Sequence, residues 1–157
     1  MPTATPDPAD DRHWMSLAIE LSQQCPPAEG AYSVGAVIVD DQGREISRGY
    51  SRDTDPTVHA EESALAKLAA NDPSLAGATL YSTLEPCSQR ASRPRSCTRL
   101  ILATGIRRVV IAWREPALFV ADCQGVELLT AAGVTIEELP DLAEAARAVN
   151  AHLAIDQ

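Results

Sequence analysis

Hydrophobic and polar positions change their spacing several times along the chain, which divides it into alternating helices and strands. From Asp11, apolar residues recur at three- and four-residue intervals, as on one helix face, until Cys25-Pro26-Pro27 ends the run. Short apolar runs bounded by turn residues predict buried strands instead. In chain order the pattern predicts a helix from Asp11, strands over 34–39 and 45–51, a helix over 59–70, a strand over 78–84, a helix over 97–104, a strand over 109–113, a helix over 122–132, a strand over 134–138 and a helix over 142–153.

This alternation favours an α/β domain of three layers, α/β/α, with a mixed sheet of about five strands. We expect the Pro- and Asp-rich residues 1–10 to form a disordered tail and residues 11–157 to form one domain. The N-terminus has neither the basic nor the apolar segment of a signal peptide. No apolar run approaches the roughly 18 residues of a membrane span. We therefore expect a cytoplasmic protein.

Charge changes this picture in two ways. The chain carries 22 acidic and 13 basic residues, and its net charge of −9 argues against nucleic acid or an anionic membrane as the main partner. Seven of the basic residues are arginines between Pro86 and Arg114, a stretch without any acid. An arginine of this stretch is a candidate for binding a substrate phosphate, and a solvated loop explains the stretch equally well. Arg107 and Arg108 precede a predicted strand and are expected at the surface or in a subunit contact.

The residues with the clearest chemistry are His59, Glu61, Cys87 and Cys97. One imidazole and two thiolates suit Zn²⁺ and leave the fourth tetrahedral position to water. Both cysteines lie near the start of a predicted helix, where free N–H groups favour the thiolate. Glu61 would point away from His59 inside a helix, but at a helix start its side chain can reach the water and act as the general base. The set indicates hydrolytic removal of an amino group from a ring.

Other interpretations of these residues stay open. The set could be a coincidence, or it could hold a structural zinc in a protein that binds without catalysing. Trp113, the last residue of a predicted strand, could stack on a substrate ring or pack in the core. A structural zinc would need a fourth protein ligand. The candidates for that ligand are Cys25, Cys123, His13 and His152.

His59-Ala60-Glu61, followed by Pro86-Cys87 and Cys97, resembles the signature of the zinc deaminases. On this basis the chain is identified as a member of the cytidine deaminase-like superfamily. The gap between the cysteines is wider than the Cys-x-x-Cys usual in cytidylate and tRNA deaminases. The segments most similar to the deaminase domain of bacterial riboflavin biosynthesis are 34–39, 49–50, 59–61 and 83–88.

The resemblance implies the cytidine deaminase-like fold and a zinc-dependent aminohydrolase, with one Zn²⁺ on His59, Cys87 and Cys97 and with Glu61 as the proton carrier. The implied substrate is the diaminopyrimidine ribosylamino phosphate of riboflavin biosynthesis, deaminated by a stand-alone homodimer or homotetramer. Cytidine, cytidylate or guanine-type deamination, for example in secondary metabolism, is the alternative, because several polar positions differ from the riboflavin subgroup. A nucleic-acid editor suits the arginines but not the net charge. The expected substrate contacts are Ser33, Ser63, Glu85, Gln89, Arg90 and Arg93.

Overall fold

The structure is a computed structural model that describes residues 8–26, 32–69, 72–87, 96–114 and 125–151. None of the helices within these ranges is long and apolar enough to cross a bilayer. Two short 3₁₀ turns, Pro73–Gly77 and Pro140–Leu142, accompany the regular elements. The helices and strands are α1 (Pro8–Ser22), β1 (Gly35–Val39), β2 (Glu45–Tyr50), α2 (Ala60–Ala66), β3 (Thr79–Leu84), α3 (Cys97–Leu102), β4 (Arg108–Trp113), α4 (Gly125–Ala131), β5 (Thr135–Glu138) and α5 (Ala143–Ala148).

The strands form one five-stranded mixed sheet in the order β2-β1-β3-β4-β5. Strand β1 pairs antiparallel with both β2 and β3, whereas β3, β4 and β5 run parallel to one another. Every residue of β1 is buried, as expected for a central strand that is covered on both faces. The predicted mixed sheet of an α/β fold is confirmed.

Two glycines show how closely the helices cover the two faces of the sheet. A Cβ on Gly35 would overlap the carbonyl group of Ala18, so α1 lies directly against that face of β1. A Cβ on Gly49 would lie 2.7 Å from the carbonyl oxygen of Ala60 in α2. Gly49 pairs with Ala36, the neighbour of Gly35, so the two glycines mark opposite faces. Helix α5 packs beside α1, and α3 beside α2, which gives three layers.

Several element boundaries differ from the predictions by a few residues, and two of these differences have a clear physical reason. Helix α1 begins at Pro8, so residues 8–10 of the predicted tail are helical. Proline is favoured in a first turn because the N–H that it lacks has no partner there, and Asp10 and Asp11 favour the positive end of the helix dipole. Helix α2 ends at Ala66, short of the predicted residue 70, and its end tightens into a turn.

A buried ion pair fixes α1 to the sheet at the N-terminal end of β4, beside the start of β3. Asp11 is 3% exposed, and its two carboxylate oxygens accept hydrogen bonds from the Nη1 and Nη2 atoms of Arg108 at 3.0 and 2.5 Å. The Tyr81 hydroxyl donates to the same carboxylate at 2.6 Å, and Glu137 is a second partner of Arg108. The surface position expected for Arg108 is therefore wrong for most of its side chain, which is 12% exposed because Asp11 compensates its charge. Arg107 is exposed, as expected, and the alternative of a subunit contact stays a prediction.

Candidate active site

Three segments of the chain meet beyond the C-terminal end of β3. His59 precedes α2 with extended backbone (φ −88°, ψ 161°), Cys87 follows β3, and Cys97 is the first residue of α3. The His59 Nδ1 atom lies 3.6 Å from the Cys87 Sγ atom and 3.4 Å from the Cys97 Sγ atom. The predicted convergence of these three side chains is present, and Nδ1 is the nitrogen that faces the sulfurs.

The spacing of these atoms fits a tetrahedral zinc site. Zinc–sulfur bonds of about 2.3 Å and zinc–nitrogen bonds of about 2.0 Å, at tetrahedral angles, separate nitrogen from sulfur by about 3.5 Å. The two measured nitrogen–sulfur distances, 3.6 and 3.4 Å, bracket that value. One imidazole and two buried thiols are also the donor chemistry that Zn²⁺ prefers. The residues can hold the ion without rearrangement.

A fourth protein ligand is not part of this group within the ranges that the structure describes. The Cys25 thiol contacts the carbonyl oxygen of Val34 at 3.5 Å, and the ring of His13 packs edge-on against Trp14. The two remaining candidates, Cys123 and His152, lie outside the described residues. The described part of the site therefore leaves one corner of the tetrahedron free of protein.

Helix α3 prepares the two sulfurs for a cation. The Cys97 backbone N–H donates to the Cys87 Sγ atom at 3.2 Å, and the Thr98 N–H donates to the Cys87 carbonyl oxygen at 3.0 Å. A hydrogen bond from the Cys97 thiol, aided by His59, lowers the pKa of Cys87 to about 4. The pKa of Cys97 rises, because its proton is held by Cys87 and the side chain is buried. Zinc must displace this proton, since it binds thiolates.

Glu61 lies beside the ligand group and is 4% exposed. Its Oε1 atom accepts a hydrogen bond of 2.6 Å from the hydroxyl of Ser82, a fully buried residue of β3. Burial raises the pKa of Glu61, while hydrogen bonds from Ser82 and the Cys97 thiol oppose that effect. A carboxyl group with a raised pKa at this place can accept a proton and return it.

Ser63 holds the loop before His59 against α2. Its buried hydroxyl donates to the Asp53 Oδ2 atom at 2.8 Å, and Lys67 Nζ donates to the same oxygen at 2.6 Å. Lys67 also bonds the carbonyl oxygen of Arg48 in β2. The contact between Ser63 and substrate stays a prediction, and the structure gives the hydroxyl a partner in the loop.

Ser33 and Glu85 are likewise placed at this end of the sheet. The Ser33 N–H donates to the side chain of Asn150 at 2.6 Å, and the Ser33 hydroxyl accepts from Arg52 at 3.1 Å. The Glu85 Oε2 atom accepts from the Val126 N–H at 2.9 Å, in the first turn of α4. Their roles as substrate contacts stay predictions. The other three predicted contacts, Gln89, Arg90 and Arg93, lie outside the described residues.

Three residues that contact predicted site residues, Ser82, Arg52 and Asn150, were not predicted from the sequence. Ser82 gave one usable signal, a hydroxyl on the same face of a buried strand as apolar neighbours. Arg52 and Asn150 gave none, because each contacts a segment that is distant in the sequence.

Trp113 is buried, and its ring is edge-on to Tyr32 at 6.0 Å, as the core interpretation expects.

The mixed sheet, with an imidazole and two thiols gathered at one end and a buried carboxyl group beside them, defines a zinc-binding α/β domain. The family model described as the cytidine and deoxycytidylate deaminase zinc-binding region matches residues 8–113. The chain belongs to this deaminase family, and the predicted superfamily and zinc cofactor are confirmed.

Curated relatives include enzymes of riboflavin biosynthesis. The diaminohydroxyphosphoribosylamino-pyrimidine deaminase of Schizosaccharomyces pombe is 43% identical over 133 residues, which are 83% of this chain and 32% of that protein. The riboflavin biosynthesis protein RibD of Escherichia coli is 37% identical over 133 residues, 80% of this chain and 33% of that protein. The chain thus spans about a third of the length of these relatives. The predicted resemblance to the riboflavin-type deaminases is confirmed.

Solved structures give the same picture. The diaminohydroxyphosphoribosylaminopyrimidine deaminase/reductase of Thermotoga maritima superposes with a TM-score of 0.72 and 32% identity, covering 90% of this chain and 39% of that one. The Rib2 deaminase of Aspergillus oryzae superposes with a TM-score of 0.75 at 22% identity, covering 88% of this chain and 89% of that one. The second likeness establishes the fold alone.

Proposed function

We propose that this chain is a zinc-dependent hydrolase that removes an amino group from a pyrimidine nucleotide, replacing it with oxygen from water and releasing ammonia. One observation carries the proposal. The Nδ1 atom of His59 and the two cysteine sulfurs have the spacing of a zinc site, and the buried Glu61 carboxyl group is hydrogen-bonded to the Cys97 thiol. In this proposal His59, Cys87 and Cys97 hold zinc, and Glu61 is the catalytic residue.

The chemistry divides between the ion and the chain. When bound, zinc supplies the Lewis acidity that makes water a nucleophile near neutral pH. Glu61 accepts a proton from the attacking water and transfers it to the ring nitrogen beside the attacked carbon. Glu61 then accepts the second proton, from the hydroxyl group now on the attacked carbon, and delivers it to the amine as the carbon–nitrogen bond breaks and ammonia leaves. Burial supports both transfers, because it brings the pKa of Glu61 upward from its ordinary value.

For the substrate, we propose the diaminopyrimidine ribosylamino phosphate that the name of the Schizosaccharomyces pombe relative describes. That relative is 43% identical over 83% of this chain, and the Escherichia coli relative, which is named as a riboflavin biosynthesis protein, is 37% identical over 80% of it. Both support the choice. The arginine-rich stretch supports a phosphorylated substrate, because guanidinium groups bind phosphate bidentately. Cytidine and cytidylate are the alternatives, since the family model is named for enzymes of that kind.

The test measures ammonia release by the purified, zinc-loaded chain from the riboflavin intermediate, cytidine, cytidylate, guanine and an adenosine-containing tRNA. We expect turnover of the riboflavin intermediate. Glu61→Gln should keep one zinc and lose at least about a hundredfold in turnover, because its amide cannot accept the proton. Glu127→Gln, in an exposed acid of α4, is the matched control and should retain activity.

The outcomes separate the candidates. Turnover of a cytidine compound alone would replace the proposed substrate and keep the reaction. Full activity of Glu61→Gln would contradict the mechanism. Absence of ammonia from every compound, with zinc bound, would favour a binding protein with a structural metal.

We further propose a cytoplasmic location and a homodimer or homotetramer. A site with two thiols requires a reducing compartment, and both Cys87 and Cys97 are free. Leu102 on α3 is 39% exposed, which makes that helix a candidate for the subunit contact. Light scattering of the wild type and of Leu102→Glu tests the assembly, and a monomeric wild type would contradict it.

A further inference from the structure

The hydroxyl of Ser82 is the described hydrogen-bond donor to Glu61 that comes from the sheet. It lies 2.6 Å from the Glu61 Oε1 atom and 2.8 Å from the carbonyl oxygen of Leu84. Ser82 is fully buried at the centre of the sheet, where β3 pairs with β1 and β4. The donor is therefore held by a rigid element, and water does not compete for it.

The surroundings of Ser82 make a hydroxyl an unusual choice. Its partners across the sheet, Ala36 in β1 and Ile111 in β4, are apolar, and its neighbours on the same face, Leu80 and Leu84, are apolar as well. A buried hydroxyl without a strong partner is destabilising, so this position would be filled more simply by an apolar side chain. The single proton of the hydroxyl has two acceptors in reach, the Leu84 carbonyl oxygen at 2.8 Å and the Glu61 carboxyl group at 2.6 Å. The carboxylate is the stronger acceptor because it carries charge, so it is the partner that best compensates the hydroxyl.

The contact also divides the work between the two oxygens of the carboxyl group. The Ser82 hydroxyl contacts Oε1, and the Cys97 thiol is a further hydrogen-bond partner of the carboxyl group. We assign the proton transfer with the attacking water and the ring to Oε2, because Ser82 holds the other oxygen. Without that contact the carboxyl group could rotate about its last bond, because such torsions are broad. An error of a few tenths of an ångström or of 10–20° at a reacting group is enough to slow a reaction.

We propose that Ser82 is a positioning residue for the deamination, which holds Glu61 through Oε1 so that Oε2 faces the reacting atoms. The inference rests on the proposed function. It assigns to β3 a part in the chemistry besides its part in the core. The residue acts through Glu61 and does not itself contact the zinc ligands or the substrate.

The experiment compares Ser82→Ala, Ser82→Thr and a matched control, Ser47→Ala. Ser47 is a buried serine of β2 whose hydroxyl donates to the Ala64 carbonyl oxygen of α2 at 2.6 Å, so its loss has similar structural consequences away from Glu61. For each zinc-loaded variant, kcat, KM, zinc content and the unfolding midpoint are measured. Crystal structures of the zinc-loaded wild type and Ser82→Ala give the orientation of the Glu61 carboxyl group without turnover.

We expect Ser82→Ala to lower kcat about 10- to 100-fold, the effect of losing a hydrogen bond to a charged group, with KM and zinc content unchanged. Ser82→Thr should regain most of the loss, since it keeps the hydroxyl. Ser47→Ala should lower the unfolding midpoint and keep kcat. In the Ser82→Ala crystal, the carboxyl group should be rotated or disordered.

Other results overturn the proposal. A Ser82→Ala enzyme with wild-type kcat, or one whose loss equals that of Ser47→Ala, would show a purely structural serine. A loss confined to KM or to zinc content would assign Ser82 to binding instead. If the wild type deaminates nothing, the proposed function fails, and an unmoved Glu61 in the Ser82→Ala crystal would independently exclude positioning.

Discussion

Gly49 offers a way to move the helix that carries the site without substituting any residue of the site. The glycine lies in β2, directly beneath α2, and it pairs with Ala36 of β1. An alanine Cβ would lie 2.7 Å from both the Ala60 carbonyl oxygen and the Ala64 nitrogen, and 2.8 Å from the Ser63 Cβ atom. Two of these three atoms belong to the backbone, so side-chain rotation cannot relieve the contact.

The size of the effect follows from these distances. Ordinary van der Waals contact begins near 3.4 Å, so α2 must retreat by roughly 0.7 Å from the sheet. Overpacking of this kind lowers the free energy of unfolding by about 1–3 kcal/mol, a decrease in Tm of about 2–12 °C for a chain of this size. His59 and Glu61 move with α2. A misplacement of this order can slow a reaction by up to about a hundredfold.

Gly43→Ala serves as the control. Gly43 has φ +78°, and an added Cβ would have nothing within 4 Å, so alanine there is strained by about 1–2 kcal/mol without any clash. Denaturant unfolding and zinc content are measured for both variants. The kcat is measured at a temperature below both unfolding midpoints, so that each variant is folded in the assay. We expect both variants to lose stability and only Gly49→Ala to lose kcat. Equal kcat losses, or none, would refute the view that the spacing between α2 and the sheet sets the site.

Further predictions concern stability and metal binding. Asp11→Ala should lower the free energy of unfolding by about 1.5–3 kcal/mol, because Arg108 loses its buried partner and keeps only the half-exposed Glu137, and denaturant titration measures this. Burial raises the pKa of Asp53, but hydrogen bonds, chiefly from Lys67, hold it below the ordinary value. Because this pKa is lower in the folded than in the unfolded chain, where it is near 3.9, the ionised carboxylate stabilises the fold at higher pH, and this stabilisation is lost as pH falls. The wild type should therefore lose more stability than Asp53→Asn between about pH 5 and 3. Chelation of zinc should lower the Tm of the wild type and leave that of Cys97→Ser unchanged, as calorimetry would detect.

Local patterns predict the sheet and the ligand set well because both depend on short stretches of chain. The apolar runs ending at Val39 and Trp113 are bounded by turn residues, so they are strands wherever they pack. The ligands are equally local, because a helix start after an extended segment is visible in the sequence at both His59 and Cys97. Local patterns do not predict which strand lies beside which, because strand pairing depends on contacts between distant segments; the order β2-β1-β3-β4-β5 comes from the structure.

Contacts between distant segments escape such patterns. Arg108 is an exposed charge by every local measure, and it becomes an interior residue only because Asp11 reaches it from a helix 97 positions earlier. Asn150 likewise acquires its role from the backbone of Ser33, 117 positions away. The partners of Arg108 and Asn150 depend on how α1 and α5 pack against the sheet, so the periodicity of the sequence cannot predict these contacts.

The two-residue spacing of His59 and Glu61 shows why position in an element matters more than spacing. Inside a helix, residues two apart point in different directions, and a histidine and a glutamate could not share a site. Here His59 precedes the helix with extended backbone, and Glu61 lies in its first turn. The same spacing therefore brings the glutamate to the metal ligands. A change that extended α2 by one turn toward its N-terminus should therefore move the His59 and Glu61 side chains apart, although no site residue would be substituted.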